Sequence, residues 1–479
     1  MGNITRTMFQ AAAGASGGGG EGYFGIVFSD YKAAAASDYN PYLWLDDDND
    51  SSIYVSYTQE NNAAEQAPTF AKITVGGEVE YSRELRVAGR NIELPMQYDP
   101  GTATWTTIGN YLSGLKFFKI NESSINSAPS DVARNVIDAS NKKMFPNRFG
   151  FTRNGSKSIM CVCTAFTGSK PFYAKIEHNG SSFDVVREGT GSSLDTGFFA
   201  AYCDPYGSDE MVNFFFRDGF AQVAKTRVDY SNLGTNSSAK KVTFGLSSNQ
   251  LNTSYLRSSS VYYKRGGIGG NEGSPFHFMA SADDGVVSKD RCYFTYGSSP
   301  GSSDEYRLAS SSADAYPTAI TGIVDDDYDV TTIYIAVSTT PSNTSAYQYL
   351  YKINVTGTPS IDACLRLDAA GGGSSYPGVI RKLYYDKQYD AIVAMGFAGN
   401  NSYPDAFLFR IAGDLSTSAS GSFQWTSVSA PHTLTKLSES QTTENSIWGS
   451  GTSNGSDSSG TSTNTTISNN SYQTSEVSF

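Results

Sequence analysis

Two short acidic runs hold the side chains best suited to bind a metal ion. Their carboxylates come from Asp46, Asp48 and Asp50 in the first run, and from Asp325, Asp327 and Asp329 in the second. Several carboxylates on one short loop can surround Ca²⁺, which takes about six to eight oxygen ligands. Neither run has the glycine turn and distal glutamate of an EF-hand loop. The sequence therefore predicts no required cofactor, with Ca²⁺ binding or a solvated acidic loop as alternatives for these runs.

The histidines and cysteines form no recognisable catalytic or metal-binding motif. The three histidines, His178, His277 and His432, are far apart in the sequence, and none has the spacing of a zinc site. No nucleophile elbow, Walker loop or dinucleotide fingerprint is present. A Ser-His-Asp site stays an alternative, because the members of a triad meet only in space. We predict that the protein is not an enzyme.

The cysteines are predicted to be buried free thiols. The chain has five, at positions Cys161, Cys163, Cys203, Cys292 and Cys364. An odd, scattered set does not form a disulfide framework. Cys161 and Cys163 are two positions apart, so they share one face of a predicted strand. Free cysteine commonly behaves as a small hydrophobic residue.

The charge and hydrophobicity of the chain exclude several classes of partner. The net charge is −12 over 479 residues, and no cluster of lysine and arginine is present. Binding to nucleic acid or to an anionic membrane surface requires a basic face, so neither is expected. No apolar run is long enough to span a membrane, and the first residues lack a hydrophobic signal core. We predict no membrane insertion and no ordinary secretion.

A long repeat is visible around the two acidic runs. The first run leads into Ile53-Tyr54-Val55-Ser56, and the second leads into Ile333-Tyr334-Ile335-Ala336. Each copy continues to a further strand with a basic residue before an aliphatic one, Phe70-Ala71-Lys72-Ile73 and Leu350-Tyr351-Lys352-Ile353. This aromatic-basic-aliphatic marker recurs in the sequence, with clear neighbouring copies about 45 to 58 residues apart, at Phe118-Lys119-Ile120, Tyr173-Ala174-Lys175-Ile176, Val223-Ala224-Lys225-Thr226, Tyr306-Arg307-Leu308 and Phe409-Arg410-Ile411.

The repeats predict an all-β fold. The segments before the markers are apolar on both faces, as expected for strands that lie between neighbouring sheets; examples are 158–163, 211–216, 291–296 and 391–395. Units of about 40 to 50 residues with three or four strands are typical of a β-propeller. We therefore predict a propeller of about seven four-stranded blades, with a degenerate unit near 262–265 and a β-sandwich as the alternative. The predicted domains are an N-terminal arm (1–28), the propeller (29–448) and a Ser/Thr/Asn/Gly-rich tail (449–479).

The start of the chain and its repeats resemble a family of virion proteins. Met8-Phe9-Gln10-Ala11-Ala12-Ala13-Gly14, followed by Gly17 to Gly20 and by Tyr23-Phe24, is similar to the N-terminus of tail and virion structural proteins of marine tailed phages, cyanophages especially. In that family a small-residue arm leads into repeats like Ile53-Tyr54-Val55, Phe70-Ala71-Lys72-Ile73 and Gly76-Gly77. The resemblance implies a virion location, assembly in the host cytoplasm and no catalytic residues.

These observations predict a structural component of a phage virion, associated with the tail or its fibres. It would expose the propeller for protein docking or for binding a host-surface glycan or receptor. Apolar residues in otherwise small or polar terminal segments are the predicted contacts with other virion proteins in a homo- or hetero-oligomer: Ile4, Met8, Phe9, Val477 and Phe479. A glycan-binding or glycan-cleaving propeller and a bacterial surface adhesin are the alternatives. Exposed tyrosines are a candidate binding surface, with strand packing as the alternative: Tyr39, Tyr42, Tyr403 and Tyr472.

Overall fold

A computed structural model describes the backbone of residues 23–28, 41–46, 50–60, 66–85, 92, 94–99, 103–111, 114–125, 130–134, 145–154, 157–165, 171–178, 183–190, 198–203, 211–218, 222–229, 236–243, 276–282, 291–297, 304–324, 330–339, 347–369, 379–398, 405–416, 423–437 and 440–443. Between residues 126 and 290 the description covers the backbone alone.

The first half of the chain supplies strand β1, three complete sheets and four strands of a fourth. Strand β1 spans Phe24–Phe28. Sheet 1 contains β2 (Tyr42–Leu45), β3 (Ile53–Glu60), β4 (Gln66–Ile73) and β5 (Val79–Glu84). Sheet 2 contains β6 (Gln97–Asp99), β7 (Thr104–Tyr111), β8 (Gly114–Asn121) and β9 (Ser130–Arg134). Sheet 3 contains β10 (Phe145–Asn154), β11 (Lys157–Ala165), β12 (Pro171–His178) and β13 (Phe183–Thr190). Sheet 4 begins with β14 (Phe198–Cys203), β15 (Met211–Asp218), β16 (Gln222–Asp229) and β17 (Asn236–Thr243).

The second half supplies three more sheets and a set of added strands. Sheet 5 begins with β18 (Phe276–Ala282), β19 (Arg291–Gly297) and β20 (Asp304–Ala309). Sheet 6 begins with β21 (Tyr316–Val324), β22 (Val330–Ser338), β23 (Gln348–Asn354) and β24 (Ser360–Ala369). Sheet 7 begins with β25 (Val379–Asp386), β26 (Ala391–Ala398) and β27 (Asp405–Ala412). The added strands are β28 (Phe423–Ser427), β29 (Thr433–Lys436) and β30 (Ser440–Thr443).

Within each sheet the strands are antiparallel and follow the chain order, and distant segments complete four of the sheets. Strand β1 pairs with β27 and becomes the outer strand of sheet 7. After sheet 7, β28 pairs with β24, β29 with β20 and β30 with β17. The chain therefore returns past sheets 6, 5 and 4 in the reverse of their sequence order, adding one edge strand to each. The expectation of an all-β protein built from units of three or four strands is confirmed for the described residues.

Consecutive sheets pack face to face through separate apolar clusters. One cluster joins sheets 5 and 6, another joins sheets 6 and 7, a third joins sheets 7 and 1, and a fourth joins sheets 1 and 2. The first strands of neighbouring sheets are also in contact, with β10 against β14, β18 against β21, β21 against β25 and β25 against β2. The last described sheet in the sequence therefore packs against the first.

The second strands of sheets 6 and 7 bury both of their faces, as the sequence predicted for 391–395. In β22, Ile333 and Ile335 face the cluster with sheet 5, and Tyr334 faces the cluster with sheet 7. In β26, Ile392 packs towards sheet 6 and Val393 towards sheet 1. Alternate side chains of a strand point to opposite faces, so a strand between two sheets must be apolar throughout. This is why these segments lack the usual alternation of polar and apolar residues.

The repeated marker has a defined place in every sheet. All seven copies lie on third strands: β4, β8, β12, β16, β20, β23 and β27. In sheets 1, 3 and 6 the pairing of the third and fourth strands shifts directly after the marker lysine, at Lys72, Lys175 and Lys352. Such a bulge increases the local twist of the strand. The degenerate unit expected near 262–265 lies outside the described residues.

The domain boundaries of the structure differ from the predicted ones at the N-terminus. Residues Phe24–Phe28, which the sequence analysis assigned to the arm, form β1 inside sheet 7. Phe24, Ile26 and Phe28 are buried in the cluster between sheets 7 and 1, and burial of apolar surface explains why this part of the arm belongs to the sheet. The predicted tail, 449–479, lies outside the described residues.

Helical structure is minimal in the part of the chain that the structure describes. One 3₁₀ turn, Glu122–Ser124, follows β8. No helix among the described residues is long and apolar enough to cross a lipid bilayer.

Candidate functional site

The predicted acidic loops occupy equivalent places in sheets 1 and 6. Each connects the first strand of its sheet to the second, β2 to β3 and β21 to β22. Asp46 and Asp50 are described at the two ends of the first loop, whereas Asp48, Asp325, Asp327 and Asp329 lie outside the described residues. In both sheets the run therefore falls between the first and the second strand, as the repeat predicts.

Asp50 holds the end of its own loop. Its Oδ1 atom accepts a hydrogen bond of 2.9 Å from the Ser52 backbone N–H, and the Asp46 N–H donates to the Ser52 carbonyl at 2.9 Å. Partial burial opposes ionisation of Asp50, but the hydrogen bonds from Ser52 and the charge of Lys72 outweigh it, so the pKa of Asp50 is lowered. Among the described residues no group of three or more metal-binding side chains is found. Calcium binding by the complete loop stays a prediction.

A dense aromatic and charged cluster lies between sheets 1 and 2 at this same edge. We call it the Tyr98 cluster and define it by Tyr54, Lys72, Tyr81, Tyr98, Trp105 and Glu122. The Tyr54 and Tyr98 rings stack with centroids 3.8 Å apart, and the Trp105 ring lies 5.3 Å from that of Tyr98. Tyr54 comes from the second strand of sheet 1 and Tyr98 from the first strand of sheet 2, so the stack bridges two sheets.

Glu122 is the centre of the polar part of this cluster. Its Oε2 atom accepts a hydrogen bond of 2.5 Å from the Tyr98 hydroxyl, and its Oε1 accepts one of 3.1 Å from Tyr81. The Lys72 ammonium lies 3.6 Å from Oε1 of Glu122. Burial raises the pKa of Tyr98, and the hydrogen bond to Glu122 adds to this. Both oxygens of this carboxylate are engaged in joining two sheets, which leaves it poorly placed to act as a free base.

The marker lysine has the same surroundings in sheets 1 and 6. Lys72 is paired across the strands with Tyr54, and Lys352 is paired with Tyr334. Their ammonium groups lie 5.7 and 5.9 Å from the respective ring centroids, within the range of a cation–π contact. The Tyr334 ring also stacks on Tyr385 of the next sheet, at 5.9 Å. The repeated sequence motif thus encodes a repeated contact between neighbouring sheets.

Sheets 7 and 1 meet at a buried ion pair. The Arg410 Nη2 donates to Asp386 Oδ2 at 2.8 Å, and both side chains are almost fully buried. Arg410 also donates through Nη1 to the Val75 carbonyl of sheet 1 at 2.9 Å. The Ser51 hydroxyl donates to Asp386 Oδ1 at 3.3 Å. The ion pair therefore links sheet 7 to two connections of sheet 1. Asp386 contacts the β2–β3 connection through Ser51, and Arg410 contacts the β4–β5 connection through Val75.

His432, which the sequence analysis did not place in any site, is buried beside sheet 6. Its Nδ1 lies 2.5 Å from the Tyr351 hydroxyl, and its Nε2 lies 3.0 Å from the Asp314 carbonyl. Burial lowers the pKa of His432, against smaller opposing effects of the Asp314 and Ala313 backbone and the Asp314 charge. No signal in the sequence marks this contact, because Tyr351 and Asp314 are distant in the chain.

Three other predicted residues, two cysteines and one tyrosine, lie among the described side chains. Cys292 and Cys364 are buried free thiols, as expected, and burial raises the pKa of Cys364 to about 12. Tyr42, a candidate for an exposed surface, packs edge-on against Trp105 at 6.4 Å and donates to the Tyr98 carbonyl. The predicted partner contacts and the other candidate tyrosines lie outside the described residues; these are Ile4, Met8, Phe9, Val477, Phe479, Tyr39, Tyr403 and Tyr472.

Comparison with known proteins gives only distant likenesses. No protein-family model and no curated protein matches the chain. Among solved structures, NanB sialidase from Streptococcus pneumoniae is 7% identical, with 82% of this chain and 71% of that chain covered and a TM-score of 0.42. The Synechocystis apocarotenoid oxygenase is 8% identical, with 88% and 96% covered and a TM-score of 0.41. Similarity at this level assigns neither an activity nor a substrate.

Proposed function

We propose that the seven sheets are the blades of a closed β-propeller. The contacts of successive first strands and the apolar clusters between successive sheets support a radial arrangement. Strand β1 completes sheet 7, so the two ends of the repeat region are joined within one sheet. A propeller leaves only short, protected edges. Single-particle electron microscopy tests this proposal, since seven radial blades are expected and two face-packed sheets would refute it.

We further propose that this propeller is a non-enzymatic structural component of a phage virion. The observation that carries the proposal is the place where the chain enters and leaves the sheets. Strands β1 and β30 are both edge strands, each the last in the order of its sheet. The described sheets therefore begin and end, along the chain, with edge strands, and contacts with neighbouring proteins would be made from these edges.

The composition of the two terminal segments fits a docking role. The N-terminal segment combines alanine and glycine with Ile4, Met8 and Phe9, and the C-terminal segment ends in Val477 and Phe479. Small residues permit close backbone approach, and a few large apolar residues can anchor in a partner's groove. The ordering of such a segment costs about 1–2 kcal/mol per residue for the backbone, which association with another virion protein would offset.

The proposal is tested on purified particles. Virions isolated on a density gradient should contain this chain at a constant ratio to the major capsid protein, measured by quantitative mass spectrometry. Immunogold labelling should then place it on the tail or its fibres. Its absence from particles, together with its presence on the surface of uninfected bacteria, would support the adhesin alternative. Specific binding on a glycan array would identify the host-surface ligand.

A further inference from the structure

The returning strands at the end of the described chain form the outer edges of three sheets, and we call this segment the C-terminal belt (423–443). Its three strands add to the outer edges of sheets 6, 5 and 4. The belt supplies the fourth strand of sheet 5, which has three strands of its own, and a fifth strand to each of sheets 4 and 6. Sheets 4 and 6 are therefore complete four-stranded units without it.

Few described side chains of the belt are buried. Trp425 and His432 are buried, and Val428 and Leu434 are partly buried against the cluster of sheets 5 and 6. The others in 426–436 are exposed or half-buried, so the part of the belt whose side chains are described (425–437) is held mainly by edge hydrogen bonds and by two buried side chains. Regions with few buried apolar contacts open locally at a lower free energy than a core strand does.

The two buried side chains differ in chemistry. The Trp425 ring packs edge-on against Phe409 of sheet 7, with centroids 5.0 Å apart. His432 lies between β28 and β29, where the belt passes from sheet 6 to sheet 5. A carbonyl oxygen can only accept a hydrogen bond, so Nε2 of His432 carries a hydrogen and donates it to the Asp314 backbone carbonyl. Nδ1 then accepts from the Tyr351 hydroxyl, and the ring is neutral in this arrangement.

Protonation would place a cation in a site built for a neutral ring. The titratable groups around His432 are Tyr349 and Tyr351 on β23, Cys364 on β24 and Asp314 before β21. Asp314 is the one acidic group among them that favours the charged ring, and burial outweighs it. Tyr351 and the Cys364 thiol are neutral at ordinary pH, because burial raises the pKa of both groups.

We propose that the C-terminal belt is a releasable strap, and that protonation of His432 opens it while the inner strands of the sheets stay folded. The direction of the effect follows from linkage. The closed belt binds the proton less well than the open belt does, so acidification favours the open form. Below the ordinary histidine pKa of about 6.5, the opening equilibrium constant rises as the pH falls, with a slope that approaches about tenfold per pH unit. The opening equilibrium constant stops rising once the pH falls below the pKa of His432 in the closed belt.

Hydrogen exchange by mass spectrometry tests the proposal on the full chain. Protection of 423–436, corrected for the intrinsic pH dependence of exchange, is expected to fall about fivefold between pH 6.5 and 5.5. Strand β1, another edge strand, is the internal control and should keep its protection. Direct titration of ¹³C-labelled histidine should report the neutral Nε2–H form of His432 at pH 7.5.

The matched variant is His432→Gln, which keeps a neutral donor for Asp314 and cannot titrate. At pH 7.5 the belt of this variant should exchange faster than the native belt. Its exchange should lack the steep dependence on pH. Loss of that dependence in His432→Gln would assign it to His432 and not to His178 or His277. Protection of the native belt that is independent of pH would overturn the proposal. Loss of protection in all sheets together at acidic pH would overturn it too, since the belt would then not open by itself.

Discussion

Arg410 and Asp386 form an ion pair of 2.8 Å that is buried where sheet 7 meets sheet 1. The pair lies on strands β27 and β25, on either side of β26, and Arg410 extends to the Val75 carbonyl of sheet 1. Its position couples sheet 7, the last described sheet of the sequence, to sheet 1. A buried pair of this kind contributes little net stability compared with apolar residues, but breaking it is costly.

We predict that Asp386→Ala destabilises the protein by about 3–5 kcal/mol, because it leaves the Arg410 guanidinium buried without its charge partner. The double variant Asp386→Leu/Arg410→Met should lose much less, since it removes both charges. Urea unfolding of Asp386→Leu, Arg410→Met and the double variant measures the coupling free energy. Glu80→Gln is the control: the Lys72–Glu80 pair has a similar distance of 3.0 Å, but Glu80 is 40% exposed, and a loss under about 1 kcal/mol is expected. Equal losses in both pairs would contradict the prediction.

The repeat and its strands were predictable from the sequence because the contacts that define them are local. Tyr54 and Lys72 lie on adjacent strands of one unit, and the same pair recurs as Tyr334 and Lys352. Apolar runs such as 391–395 indicated strands buried on both faces for the same reason. A motif that repeats a contact within each unit is visible without any knowledge of how the units assemble.

The contacts between distant units could not be predicted. Strand β1 was assigned to the arm, because nothing near Phe24–Phe28 indicates that its partner is β27. Glu122 belongs to no motif, and its importance depends on tyrosines from two sheets meeting at its carboxylate. Likewise His432 gains its surroundings only when the belt returns past sheet 6. Pairing over long sequence separations leaves no periodic pattern to detect.

Two truncations should separate the contribution of residues 1–22 from that of strand β1. Deletion of residues 1–22 retains β1, so near-normal thermal stability with loss of incorporation into particles is expected. Deletion of residues 1–28 removes Phe24, Ile26 and Phe28 from the cluster between sheets 7 and 1. Each buried side chain contributes about 1.5–3 kcal/mol, and the sum approaches the whole stability of a typical protein. Calorimetry of both proteins measures the difference. Equal melting temperatures for the two would show that β1 is dispensable.

The Tyr98 cluster is predicted to be structural and not catalytic. Glu122→Gln keeps the size of the side chain but replaces one acceptor oxygen by an amide donor, so one tyrosine hydroxyl loses its partner. A loss of about 1–3 kcal/mol is expected, and Tyr98→Phe should cost less. The native protein should show no turnover on a panel of host polysaccharides. Measurable hydrolysis that Glu122→Gln abolishes, with the fold intact by circular dichroism, would reverse this assignment.

Gly413 is predicted to be intolerant of any side chain. It follows β27, and its N–H donates to the Asp390 carbonyl at 2.7 Å while its own carbonyl accepts from the Tyr334 hydroxyl at 2.6 Å. A Cβ atom there would overlap Oδ1 of Asp390 and lie 2.8 Å from the Asp390 carbonyl oxygen. Asp390 has little freedom to move, because its φ is +46° and its carboxylate accepts from Tyr385 at 2.9 Å.

Gly413→Ala should therefore cost about 1–3 kcal/mol, the usual range for overpacking in a close-packed region. Gly76→Ala is the matched control, since the nearest atom to its added Cβ is the Thr74 hydroxyl at 3.8 Å. Its effect should stay within about 0.5 kcal/mol. Denaturant unfolding of both variants provides the test, and hydrogen exchange of β22 and β25 shows whether the loss is local to the junction of sheets 6 and 7. A Gly413→Ala protein as stable as the native chain would mean that the turn at Asp390 can move aside.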